Sequence, residues 1–213
     1  MKTDYESQRK TIAEKNGGAK VLLHSCCAPC STTCLSRLVP DFAVTVFYYN
    51  PNMSSEEEYA RRAEEQRRFL YEAYGNKVPL VTEKYFSGEF YSEIKNVENF
   101  ADLPEGGARC EECFKLRLSR SAEYAKENGF EYFTTTLTLS PHKNAELLNK
   151  IGCECGEKYG VKWLPCDFKK QNGFLLSCKL SNEYGLYRQN FCGCVYSEAE
   201  AKARESSRGK ENA

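Results

Sequence analysis

Short apolar runs alternate with helix-like stretches along most of this chain, and no other feature limits its fold as strongly. The runs AKVLLHS (19–25), FAVTVFYYN (42–50), VPLVTEKY (78–85), FEYFTTTLT (130–138) and VKWLPCDF (161–168) are rich in aliphatic, β-branched and aromatic residues, which suits buried strands. Between them, residues 31–38 read as a helix. Residues 54–75 read as another, opening with Ser54 and Glu57 at capping-box spacing and closing at Gly75. A third helix opens at Cys110 and stops at Gly129, and a fourth covers 140–160 with Ser140 as N-cap and Pro141 in its first turn. Residues 86–109 read as less regular, and 169–196 as helical or irregular. This alternation predicts an α/β domain with a mostly parallel sheet flanked by helices. The expected organisation is a polar N-terminal arm over 1–18, one domain over 19–197 and a charged tail over 198–213.

Ligands of such sheets collect beyond the C-terminal ends of the strands. The segments after the first, second and fourth predicted strands are therefore expected to share one crevice. The first of these segments is SCCAPCSTTC, which packs Cys26, Cys27, Cys30 and Cys34 into nine residues.

At 213 residues the chain is long enough to bury a core without disulfides, yet it carries 12 cysteines. The N-terminus is polar and no apolar run reaches membrane-spanning length, so a cytoplasmic protein without a membrane partner is expected. In that compartment, metal binding or redox chemistry explains clustered thiols better than a disulfide scaffold does. Seven cysteines form tight groups: Cys26, Cys27 and Cys30; Cys110 and Cys113; Cys192 and Cys194. Cys110 and Cys113, three apart, share one helix face, and Gly193 allows a tight turn between Cys192 and Cys194. A four-thiolate site can be an iron–sulfur cluster or zinc. Seven thiolates exceed one such site, which suggests a cluster and a neighbouring single metal. Neighbouring side chains on an extended backbone point apart, so Cys26 and Cys27 are expected to serve different centres. Cys34, Cys166 and Cys178 read as inert buried cysteines, and Cys153 with Cys155 as a weak metal pair near a helix end.

Several long stretches together, LLHSCCAPCS, FYYNPNM, PEGGARCEECFKLRL, TTTLTLSPHKN and GLYRQNFCGCVYS, resemble the QueH family of epoxyqueuosine reductases over about residues 19–197. The resemblance implies a HUP-like α/β fold, related to the nucleotide-binding domains of ATP pyrophosphatases and tRNA-thiolating enzymes. It implies a 4Fe–4S cluster beside a mononuclear metal, expected to be iron. It also implies reductive removal of the epoxide oxygen of epoxyqueuosine in tRNA, giving queuosine. By position, the family's ligands are Cys26, Cys27, Cys30, Cys110, Cys113, Cys192 and Cys194.

That chemistry needs an external low-potential electron donor and a general acid for the departing oxygen. His24, Tyr49, His142, Lys143 and Asp102 are candidates, and Asp102 doubles as a candidate oxygen ligand to the metal. Asn50 and Asn52 after the second strand, and Ser140 and Asn144 at a helix start, are candidate substrate contacts. Net charge is zero, which removes a global basic field, but the interval 161–196 carries five basic residues against two acidic ones. Lys169, Lys170, Arg188 and Gln189 in that interval, with nearby aromatics, are candidate tRNA contacts. The competing readings are a zinc-stabilised nucleic-acid-binding protein and a thiolating or pyrophosphatase enzyme of the same broad fold. The second would want a Gly/Ser-rich phosphate loop where this chain has SCCAPCS.

Overall fold

The computed structural model describes residues 3–211. Five strands, β1 (Lys20–His24), β2 (Ala43–Tyr48), β3 (Leu80–Thr82), β4 (Tyr132–Thr135) and β5 (Lys162–Trp163), form one sheet in the order β3-β2-β1-β4-β5. Every neighbouring pair is parallel. Val21, Leu22 and Leu23 of the central strand are fully buried. Each contributes roughly 1.5–3 kcal/mol of apolar burial. The order reverses at β1: the chain first runs outward through β2 and β3, then returns to β4 on the other side of β1. The gap beyond the ends of β1 and β4 is thus the topological switch point, where open α/β sheets bind ligands.

Among the described residues, eight α-helices connect and flank the strands: α1 (Tyr5–Lys15), α2 (Ala28–Leu38), α3 (Glu56–Tyr74), α4 (Ser87–Ile94), α5 (Ala108–Glu127), α6 (Ala145–Tyr159), α7 (Gly173–Glu183) and α8 (Val195–Glu211). Several boundaries differ from the sequence-based expectation. α2 begins at Ala28 rather than 31, so Cys27 is its N-cap. The cap of α3 is Ser55, whose hydroxyl accepts from the Glu58 amide, one residue beyond the expected Ser54–Glu57 pair. The Ser54 amide instead donates to the Gly193 carbonyl at 2.8 Å. α6 is capped by Asn144, not Ser140: the Asn144 side chain accepts from the Glu146 and Leu147 amides. β4 stops at Thr135 and gives way to a 3-10 turn over Thr136–Leu139, leaving 140–144 as a loop above the switch point. α4 was not expected; Phe90 and Ile94 hold it by packing beside Cys113 and Cys194.

The two ends of the described chain pack on the same body. Glu6 and Arg9 of α1 are buried, and Arg9 donates to the Arg37 carbonyl at 3.1 Å. At the start of α8, Ser197 and Ala201 are buried. No helix among the described residues is long and apolar enough to cross a membrane.

Candidate metal centre

The end of β1 is tightly braced. The Asn50 side-chain amide donates to the Ser25 carbonyl at 2.9 Å, and the Ser25 hydroxyl meets Gln66 Oε1 and Ser31 Oγ at 2.7 Å each. Immediately beyond, Cys26 sits at a bend and Cys27 caps α2. The bend breaks the alternation of side chains that an extended strand would impose. The Cys26 and Cys27 Sγ atoms consequently lie 3.7 Å apart rather than diverging, and Cys27 Sγ lies 2.9 Å from Cys30 Sγ. All three sulfurs fall within 4.8 Å of one another, the one such convergence of potential metal ligands among the described residues. The Cys27 and Cys30 thiols stabilise a Cys26 thiolate and hold its pKa well below the ordinary value. That same interaction with Cys26 pushes Cys27 up to about 12. One anion is therefore accommodated at once, and further deprotonation calls for a cation among the sulfurs.

The other two groups approach from α5 and from the turn before α8. Cys110 lies in the first turn of α5 and accepts from the Gly106 amide at 3.2 Å. Cys113, one turn on, is buried with Cys194 against Phe90 and Ile94. Burial, joined by the charges of Cys192, Cys194 and Cys110 and opposed by Arg117, raises the Cys113 thiol to about 12. Gly193 has φ +132°, and a Cβ there would meet Met53 Sδ at 2.6 Å, so the Cys-Gly-Cys turn requires glycine. The Cys192 carbonyl accepts from Arg62 Nη1 at 3.1 Å.

Arg117 joins these groups. It is fully buried on α5, one turn after Cys113. Its Nη2 donates to Asn50 Oδ1 at 2.5 Å and its Nε to His24 Nε2 at 3.3 Å, while Nη1 has no protein partner. Cys113, Cys192 and Cys26 are the thiols whose charge acts on it. A buried guanidinium with an unpartnered N–H among three thiols fits an anionic thiolate-bound metal group, which would supply the missing countercharge.

Beside the thiols lies a cavity of about 270 Å³. Cys26, Cys27, Cys30 and Cys192 form one wall, the loop 140–143 another, and α7 with the segment 188–191 a third. Of the candidate site residues, Ser140, His142, Lys143, Arg188 and Gln189 line it. His142 is exposed, whereas Lys143 is buried with its Nζ 3.3 Å from Glu105 Oε1. Burial alone would lower the Lys143 pKa, but Cys192, Glu105, Cys26 and Cys30 outweigh it and the net shift is upward.

Other candidates lie elsewhere. His24 is fully buried beneath the crevice, with Nδ1 2.8 Å from Thr135 Oγ1. Burial and then the charge of Arg117 lower its pKa to about 3, which leaves the imidazole neutral at physiological pH. The Tyr49 hydroxyl donates to Glu89 at 2.7 Å, away from the cavity, and burial raises its pKa. Asn50 is occupied with Ser25 and Arg117. Asn52 is buried, with neither side-chain polar atom partnered. Asp102 is exposed and outside the cavity lining, and the carboxylate in the lining is Glu105. Asn144, Lys169 and Lys170 line a separate depression beside α1. Lys169 is paired with Asp167 at 2.9 Å and donates to the Thr138 and Lys143 carbonyls, so it braces the loop instead of standing free for phosphate. Cys34 and Cys166 are fully buried away from the cavity, and Cys153 is exposed while Cys155 is buried.

A family model described as epoxyqueuosine reductase QueH matches residues 21–200. The chain belongs to the QueH family. A relative in Streptococcus pyogenes serotype M1, named epoxyqueuosine reductase QueH, is 42% identical over 179 residues, covering 83% of this chain and 69% of its own length. A relative of the same name in Staphylococcus epidermidis is 41% identical over 204 residues, covering 92% and 85%. One in Thermotoga maritima is 38% identical over 188 residues, covering 87% and 94%. In this QueH-family chain the matched span holds all seven grouped cysteines, together with Arg117 and Glu105. Sequence reasoning passed over both of the last two. For Arg117 a signal existed, since an arginine four residues after Cys113 must share its helix face.

Proposed function

We propose that this chain is an oxidoreductase that removes the epoxide oxygen of epoxyqueuosine in tRNA, giving queuosine. The observation that carries the reading is the trio of converging thiols in the wall of a cavity at the switch point, in a chain whose relatives bear that enzyme's name. Cys26, Cys27, Cys30, Cys110, Cys113, Cys192 and Cys194 would hold a 4Fe–4S cluster and an adjacent mononuclear metal, expected to be iron. When bound, these groups supply single electrons and a Lewis acid for oxygen. The reaction consumes two electrons and two protons, converts the epoxide to an alkene and releases its oxygen as water. The electrons come from an external low-potential donor.

The chain's own residues shape the rest. Arg117 offsets the negative charge of the thiolates from inside the protein. Lys143, kept charged by its neighbours, gives a proton at Nζ to the departing oxygen, and Glu105 fixes the position of that ammonium. His142 stands at the solvent edge of the same wall and serves as the route for proton resupply. The parallel sheet is read as HUP-like, residues 19–197 as the catalytic unit, and work on tRNA as placing the protein in the cytoplasm. Incubating anaerobic protein with epoxyqueuosine-containing tRNA and a chemical reductant, then analysing its nucleosides, tests the function. Queuosine should accumulate, and intact epoxyqueuosine with metal-replete protein would refute the reading.

A further inference from the structure

The cavity's third wall, made by α7 and the segment 188–191, is left unused by the metal chemistry. Phe174 and Ser177 of α7 line it, and Arg188, Phe191 and Arg204 join them from the two following segments. Leu137, Leu139 and Phe174 make the interior substantially apolar. Arg188 is exposed and has no carboxylate partner among the described residues. Its guanidinium carbon lies 5.3 Å from the centroid of the Phe174 ring, and its Nη1 reaches the Ser181 hydroxyl at 3.4 Å. Arg204 is held only loosely by Glu200, at 3.9 Å. Glu105 is the single acidic residue in the lining, and Lys143 neutralises it.

The cavity's size restricts what can enter. At about 270 Å³ it is slightly smaller than typical small-ligand pockets, which run from ~300 Å³. That volume is on the scale of a single nucleobase, not of a stacked stretch of RNA. A tRNA substrate must therefore present a single nucleotide swung out of its stack, and something must hold the base while the cationic rim meets the backbone.

Resting on the function proposed above, we infer that Phe174 and Arg188 form a nucleotide clamp. The face of the Phe174 ring opposite Arg188 stacks on the extruded base and aims its substituent at the thiol wall. Arg188, whose guanidinium lies over the other face, contacts the flanking phosphate, and Arg204 adds to the positive potential at the mouth. These residues are positioning residues that hold the substrate, distinct from the thiols and Lys143.

The test uses the metal-loaded full chain with tRNA carrying epoxyqueuosine. Phe174→Leu keeps apolar volume but removes the aromatic face. It should raise KM roughly tenfold while kcat changes less than about threefold, and Phe174→Trp should restore KM. Arg188→Gln should raise KM several-fold and make the slope of log affinity against log salt shallower by about 1. Iron content should match wild type in all three variants. An unchanged KM in Phe174→Leu, or an unchanged salt slope in Arg188→Gln, overturns the clamp. If wild type itself fails to convert this tRNA while fully loaded, the proposed function has failed; if wild type turns over and the variants match it, only the clamp has.

Discussion

The sulfurs of Cys26 and Cys27, adjacent in sequence, lie 3.7 Å apart and face the same cavity. Their sulfurs and that of Cys30 lie within 4.8 Å of one another, as the ligands of one centre would, and on that reading single replacements damage one and the same centre. Cys26→Ser, Cys27→Ser and Cys30→Ser should each lower bound metal to a similar extent and abolish turnover, because serine oxygen is a poor ligand for a soft metal. Metal counting with visible absorption spectra checks this. A variant of Cys26 that keeps the spectrum while Cys27→Ser loses it would return the two residues to separate centres.

Arg117 is the buried charge that depends on the thiolates, and they on it. Arg117→Leu strands Asn50 Oδ1 and removes the cation beside Cys26, Cys113 and Cys192. It should cost about 3 kcal/mol of stability and reduce metal retention, as breaking a buried pair does. Denaturant unfolding and iron content measure the two effects. Wild-type values for both would mean that the guanidinium plays no part in the centre.

The strand order's main ingredients were legible in sequence, because Val21, Leu22 and Leu23 or Val44, Val46 and Phe47 leave little alternative to buried strands. The cysteine groups were legible for the same local reason, since their spacing is itself the signal. What failed was whatever depends on a choice among similar neighbours or on distant contacts. Ser54 and Ser55 both precede a Glu at capping-box distance, and the Gly193 carbonyl takes the Ser54 amide. Ser140 and Asn144 both suit a helix cap, and Asn144 has it. Asp102 and Glu105 are three residues apart, and only the latter finds Lys143, 38 positions away. Lys169 looked like a free cation because Asp167 appeared in sequence as mere local charge.

Lys143 and Glu105 provide a test of proton delivery. Lys143→Met should lower kcat by roughly 10²–10⁴-fold with iron content intact, the range for losing a positioned acid. Glu105→Gln, which leaves the ammonium in place without its anchor, should fall less. Because the Lys143 pKa is raised, the protonated donor persists above its ordinary range, and the wild-type kcat should show no alkaline fall from this group even at about pH 10.5, where an unshifted lysine would be half deprotonated. Rates in single turnover across pH check both points.

Cys166 is the contrasting thiol. Fully buried beside the Thr134 and Thr138 hydroxyls, it touches neither the cavity nor the other cysteine groups. Cys166→Ser can hydrogen-bond to those hydroxyls and should change stability by about 1 kcal/mol or less. Iron content and turnover should stay at wild-type levels. A loss of metal in this variant would extend the centre beyond the seven grouped cysteines.

Counting iron, acid-labile sulfide and zinc per chain in anaerobically purified protein tests the metal reading most directly. A 4Fe–4S cluster with one neighbouring iron requires about five irons and about four sulfides, with a brown colour and negligible zinc. Colourless protein holding about one zinc and no sulfide would contradict it.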